Sequence, residues 1–188
     1  MSGYAGKMVY LGLDCSSPYL ALALYKDEVL VRWCQNVGRN HARSITTALD
    51  ELFRTADLSP KDLGGVTVGV GPGSYTGLRV GVAAARGIAR SLSIPLRGES
   101  SLAALAASAL REHIPRGVVA LDARRGNVYS GTFHLTDGWL IQEGDLVKTD
   151  RESLEQGPLP YFEGLEPDAG YLARCGKLGL NDVRPLYL

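Results

Sequence analysis

Val9–Asp27 reads VYLGLDCSSPYLALALYKD, and Gly117–Leu135 reads GVVALDARRGNVYSGTFHL. Moved back by 108 positions, the second stretch lies on the first without a gap, with Leu121-Asp122 on Leu13-Asp14. Each is a short apolar run, an aspartate, a four-residue polar turn and a second run, which is the pattern of a β-hairpin. Identity between them is weak, so what is shared is a pattern. It predicts two halves that each begin with the same hairpin around a strand-end aspartate.

Working outward, Val29–Cys34 predicts a third strand that completes a meander. Asn40–Thr55 predicts a helix, because Ile45, Ala48, Leu49, Leu52, Phe53 and Ala56 make one stripe at helical period. Leu63–Val70 is apolar through its centre, as expected of a strand buried on both faces. A glycine-dense turn follows, then a small-residue helix over Tyr75–Leu92, a short strand at Leu96 and an alanine-rich helix over Ser100–Arg111. Beyond the second hairpin, Leu140–Val147 is a further strand. After it the chain is polar and rich in Gly and Pro, and only Ala169–Leu178 reads as helix. The fold class is therefore α/β, with an N-terminal subdomain over residues 1–111, a shortened C-terminal one over 112–188, and no flexible linker between them.

The 188 residues carry 20 Lys+Arg against 20 Asp+Glu, with 45% hydrophobic and 21% charged residues. That is the composition of a folded domain rather than a disordered chain. A protein that grips nucleic acid by itself shows a basic excess, which is missing here. Three cysteines at wide spacing, with no CxxC, argue against a disulfide framework or structural zinc. Met1–Lys7 has a lysine but no long apolar run after it, and nothing approaches the ~18 apolar residues of a membrane span. These features predict a soluble protein of a reducing compartment, the cytoplasm.

Gly69–Gly81, GVGPGSYTGLRVG, is the most distinctive local signal. Ser74 is a good N-cap, and free amides at a helix N-terminus can hold an anion. The glycines also suit a tight turn that needs their backbone freedom. No Lys-Ser/Thr follows, so this is not a Walker A loop, and the GxGxxG register is missing. Gly77 and Gly81 each cost their helix about 1 kcal/mol relative to alanine. Close approach of another backbone would offset this, either the chain's own sheet or a second molecule. Asp14 with Ser16 and Ser17 could hold Mg²⁺ or phosphate, or form an Asx-turn; Asp122 beside Arg124-Arg125 is the same case. His41, His113 and His134 form no HxxxH pair, and His41, opening the first helix, reads as a capping or surface residue. The carboxylate beside Cys15 opposes its use as a nucleophile. No Gly-x-Ser-x-Gly elbow supports a serine triad.

Taken in order, YLGLDCSSPYLALAL, RNHARSITTALDEL, GPGSYTGLRVG, LDARRGNVY and RPLYL resemble the TsaB family, also called YeaZ, of bacterial tRNA threonylcarbamoyladenosine formation. The likeness runs from Met8 to Leu188. It implies the actin-like ATPase fold with two ribonuclease-H-like subdomains, the second one reduced. It implies a non-catalytic subunit that binds and activates TsaD, the enzyme that moves a threonylcarbamoyl group onto the adenosine next to the anticodon of ANN-decoding tRNAs. No catalytic or metal-binding residue is then expected, and the paired metal histidines of TsaD have no equivalent here. The implied partners are TsaD, with the ATPase TsaE in the larger assembly, tRNA only through that complex, and a second copy of the chain when TsaD is absent. The surface would be the first two helices, through Ile45, Leu49, Leu52, Phe53, Tyr75, Gly77, Leu78, Gly81, Ala84, Ala85 and Ile88. The alternative is an ATP-binding enzyme of the same superfamily, ATPase- or kinase-like, that uses Asp14 and Asp122, with Ser16 and Ser17 as further contacts. Cys15 stands where the family usually has threonine, which removes a hydroxyl donor from that turn.

Overall fold

A computed structural model describes residues 8–178 and 183–188; the sequence reading of Met1–Lys7 lies outside them. Three strands, β1 (Val9–Asp14), β2 (Tyr19–Tyr25) and β3 (Val29–Asn36), form the expected meander. Helix α1 (His41–Thr55) leads to β4 (Leu63–Gly69), then α2 (Tyr75–Leu92), β5 (Leu96–Glu99) and α3 (Ser101–Ala109). The second half has β6 (Arg116–Asp122), β7 (Asn127–Thr136), β8 (Trp139–Asp150), a single-turn α4 (Arg151–Glu155), β9 (Tyr161–Phe162) and α5 (Ala169–Cys175).

The strands form two sheets, ordered β3-β2-β1-β4-β5 and β8-β7-β6-β9. In both, an antiparallel meander is joined on its first strand by a parallel partner, β4 on β1 and β9 on β6. The repeat read from the hairpins is thus a repeat of sheet topology. In the first half α1 carries the crossover to the parallel strand; in the second a five-residue helix does so, and no counterpart of β5 follows among the described residues. This is the α/β, ribonuclease-H-like architecture expected, with the second unit reduced.

Two details differ from expectation. Asp14 pairs with Ala21, whereas Asp122 pairs with Val128, so the second turn is one residue shorter and the gap-free overlay fails beyond the turn. A one-residue slip exchanges the faces of a strand, so this gap is structurally required. The Gly/Pro-rich tail also holds α4 and β9, which no local periodicity announces.

The sequence of β2, YLALALY, explains how the first sheet is covered. Leu20, Leu22 and Leu24 point to the face shared with Ile45, Ala48, Leu52 and Phe53 of α1 and Val82 and Ala85 of α2. Those three leucines are fully buried, each contributing about 1.5–3 kcal/mol. Ala21 and Ala23 point to the other face and meet Ala169 of α5. On β1, a Cβ at Gly12 would stand 2.1 Å from the Ala169 carbonyl oxygen. Small residues on that face let the α5 backbone lie directly on the sheet. The second core gathers Leu102, Leu105 and Ala106 of α3 against Val119 and Phe133. So α3 packs on the second sheet, while α5, from the C-terminal half, returns to the first.

Candidate functional site

The turn after β1, the glycine loop after β4 and the start of α3 converge on Asp14. Its carboxylate is fully buried and accepts from Ser16 N (2.8 Å), Ser16 Oγ (2.7 Å) and Ser101 Oγ (2.6 Å). The Ser101 oxygen in turn accepts from Gly71 N at 3.1 Å. A Cβ at Gly69 would lie 1.8 Å from Asp14 Oδ2, so the remaining side of the carboxylate is closed by β4 itself. Burial pushes the Asp14 pKa up, against the pull of the Ser101 and Ser16 hydrogen bonds. Burial and then the neighbouring Asp14 also raise the Cys15 thiol.

Several amides of the glycine loop and of the start of α2 are spent internally. Ser74 N donates to the Ser16 carbonyl at 2.7 Å, Gly77 N to Ser74 Oγ at 3.3 Å and Leu78 N to the Ser74 carbonyl at 2.8 Å. These bonds support the tight-turn reading of the loop. Ser74 caps α2 as expected. Gly73 and Gly77 sit where side chains would strike the carbonyls of Ser16 and Cys15, the Gly77 Cβ at 2.0 Å. The loop clasps the 14–17 turn rather than framing a cradle.

These residues do not fit a magnesium–nucleotide. Asp14, Ser16 and Ser17 are all buried. Asp122 is exposed, bonded to Arg151 Nη2 at 3.1 Å and to its own turn through Arg124 N. Arg151 also makes a two-pronged pair with Glu163, both contacts at 2.8 Å. The two aspartates share no bonding partner among the described residues, and no group of three His, Cys, Asp or Glu there could hold a metal. His41 is buried, with Nε2 3.1 Å from the Tyr19 carbonyl oxygen, so the expectation of a surface residue is corrected.

The eleven residues expected at a partner surface separate into two groups. Ile45, Leu52, Phe53, Gly77, Leu78, Gly81 and Ala85 are buried within the chain. A Cβ at Gly81 would meet Leu13 and Cys15 at 3.2 Å. The expectation that these seven form a seam offered to another molecule is corrected: the close approach that offsets the two glycines is to the chain's own β1 and the turn that follows it. Leu49, Ala84 and Ile88 remain half-buried, and Tyr75 is 57% exposed. These four are the members available to a partner.

One feature went unread in the sequence. Val183–Leu188 returns across α2: Val183 O accepts from Arg86, Tyr187 packs on Tyr75 with ring centroids 5.0 Å apart, and Leu186 N donates to Val70 O at 2.6 Å. A Cβ at Gly71 would lie 2.7 Å from the Leu186 carbonyl oxygen, which accounts for that glycine. Leu186 and Leu188 also line a cleft of about 670 Å³ that reaches Ser100 and Val147. No helix among the described residues is long and apolar enough to cross a membrane.

A family model described as TsaD, tRNA N6-adenosine threonylcarbamoyltransferase, matches residues 35–157. The chain is similar to the "tRNA threonylcarbamoyladenosine biosynthesis protein TsaB" of Bacillus subtilis, 38% identical over 138 residues, covering 72% of this chain and 59% of that protein. The protein of the same name from Escherichia coli is 32% identical over 143 residues, covering 74% of this chain and 62% of the relative. That from Buchnera aphidicola subsp. Schizaphis graminum is 31% identical, covering 75% and 67%. The chain thus spans about 60% of the length of the first of these relatives. Among solved structures, "YeaZ from Pseudomonas aeruginosa" superposes with a TM-score of 0.85 at 23% identity, over 96% of this chain and all of that one. This last likeness shows the fold.

Proposed function

Because the chain belongs to the TsaB family, we propose that it takes part in forming threonylcarbamoyladenosine in tRNA, as a non-catalytic subunit that binds and activates TsaD. The observation that carries this reading is the α1–α2 pair. The two helices touch, their large apolar side chains hold the first core, and Leu49, Ala84 and Ile88 are left half-buried for a partner. Tyr75 and Arg79, packed as a cation–π pair at 5.4 Å, add the residue types that dominate interface energetics. In this reading the same surface takes a second copy of the chain when TsaD is absent. TsaE joins the larger assembly, tRNA is met only through it, no nucleotide is resident, the compartment is the cytoplasm, and the subdomains divide near residue 111.

Size-exclusion chromatography with light scattering, with and without TsaD, tests the proposal. A Leu49→Lys/Ile88→Glu variant should lose the complex while its circular dichroism spectrum is kept. An undiminished complex in that variant, or threonylcarbamoyl transfer by the wild-type chain alone, would overturn it.

A further inference from the structure

A cavity of about 320 Å³ lies where α5 and the β2–β3 turn face α3 and the β7–β8 hairpin, away from the Asp14 turn. Part of its lining is apolar, from Val29, Leu110, Leu135 and Leu140. The lining also carries two guanidinium groups from separate elements, Arg32 of β3, whose side chain is 57% exposed, and Arg174 of α5. Arg32 Nε makes one contact with Asp168 at 3.3 Å, and that carboxylate is already the N-cap of α5 through Gly170 N at 2.8 Å. Arg174 has no hydrogen-bond or carboxylate partner among the described residues. Its guanidinium lies over the Trp139 ring, 3.9 Å from the centroid, and that ring meets Tyr171 edge-on.

Stacking explains why Arg174 holds this position, and it leaves the in-plane N–H donors uncommitted. A guanidinium fixed in this way suits a two-pronged carboxylate. The lining has two cations and one anion, so a single negative charge would balance it. The volume is about ten times one water's share of the liquid and falls at the small end of ligand pockets.

The geometry points to a binding site for a small organic carboxylate with an apolar body, its carboxylate paired with Arg174 and Arg32 and its body against Leu110, Leu135 and Leu140. The site lies apart from the α1–α2 surface and does not depend on partner binding.

Trp139 beneath Arg174 is a built-in reporter. The chain has two tryptophans, and the other, Trp33, donates to Glu51 and can be replaced as Trp33→Phe to leave one signal. Titration of that protein with benzoate should give a saturable change in emission in roughly the millimolar range. Neutral benzamide should give none. Arg174→Gln should weaken the response at least tenfold. Ala107→Leu, which narrows the cavity without altering charge, should weaken it as well, so the test survives if one variant fails to fold. A response that does not saturate, that benzamide reproduces, or that persists in either folded variant overturns the assignment.

Discussion

Ser101 donates its hydroxyl hydrogen to Asp14 at 2.6 Å across 87 positions of chain, tying the first residue of α3 to the last residue of β1. The same oxygen receives Gly71 N. Ser101→Ala therefore leaves a buried carboxylate oxygen and a buried amide each short of a partner. The expected cost is about 1–3 kcal/mol per stranded group, read as a lower midpoint in urea unfolding.

Asp14 also makes a pH prediction. Burial raises its folded-state pKa above the ordinary 3.8. As pH rises past that value the unfolded chain gives up the proton first, so stability falls with rising pH through the folded pKa. Asp14→Asn removes this dependence. Melting curves of both proteins from pH 4 to 8 should show wild type losing ground to the variant as pH increases; parallel curves would count against a raised pKa.

The two helix glycines should respond differently to alanine. Gly77→Ala drives a methyl group onto the Cys15 carbonyl oxygen, a backbone atom, and should cost about 3 kcal/mol. At Gly81 the neighbours are the side chains of Leu13 and Cys15 at 3.2 Å, which can shift by a few tenths of an ångström. There the strain is set against about 1 kcal/mol of recovered helix propensity, so Gly81→Ala should lie within about 1 kcal/mol of wild type. Denaturant unfolding of the two variants decides.

At the tip of the second hairpin, Arg124 and Arg125 both adopt left-handed backbone, with φ of 66° and 55°. Side chains other than Asn and Gly pay for that conformation. Arg124→Asn with Arg125→Gly should stabilise the protein by about 1–2 kcal/mol, visible as a higher melting temperature. A lower one would mean that the arginines make a compensating contribution.

Tyr187 joins the C-terminal segment to α2 through Tyr75. Tyr187→Ala should cost about 0.5–1.5 kcal/mol and speed hydrogen exchange at Leu186 N, the amide that pairs with Val70 O. Unchanged exchange would place the hold on this segment at Arg86 and Val183 instead.

The hairpins, the α1 stripe and the buried β4 run were legible because each is a local pattern with its own period. β9 was not: two residues suffice for it because β6 supplies the pairing partners. The turn at Asp14 read as either a ligand site or an Asx-turn, and the deciding residue, Ser101, lies far along the chain in a stretch that shows only an alanine-rich helix. The glycines of α2 announced a close backbone approach, but a missing side chain does not say which backbone arrives. The cover over Gly71 was hidden for the same reason.

The clasp at Asp14 bears on motion as well as stability. β1 belongs to the first sheet, whereas the helix that begins at Ser101 is packed on the second. Any hinge-like gape between the two layers would have to break this rivet and strand a desolvated carboxylate. The protein should therefore move as one stiff body, with whatever assembles against it doing the adapting.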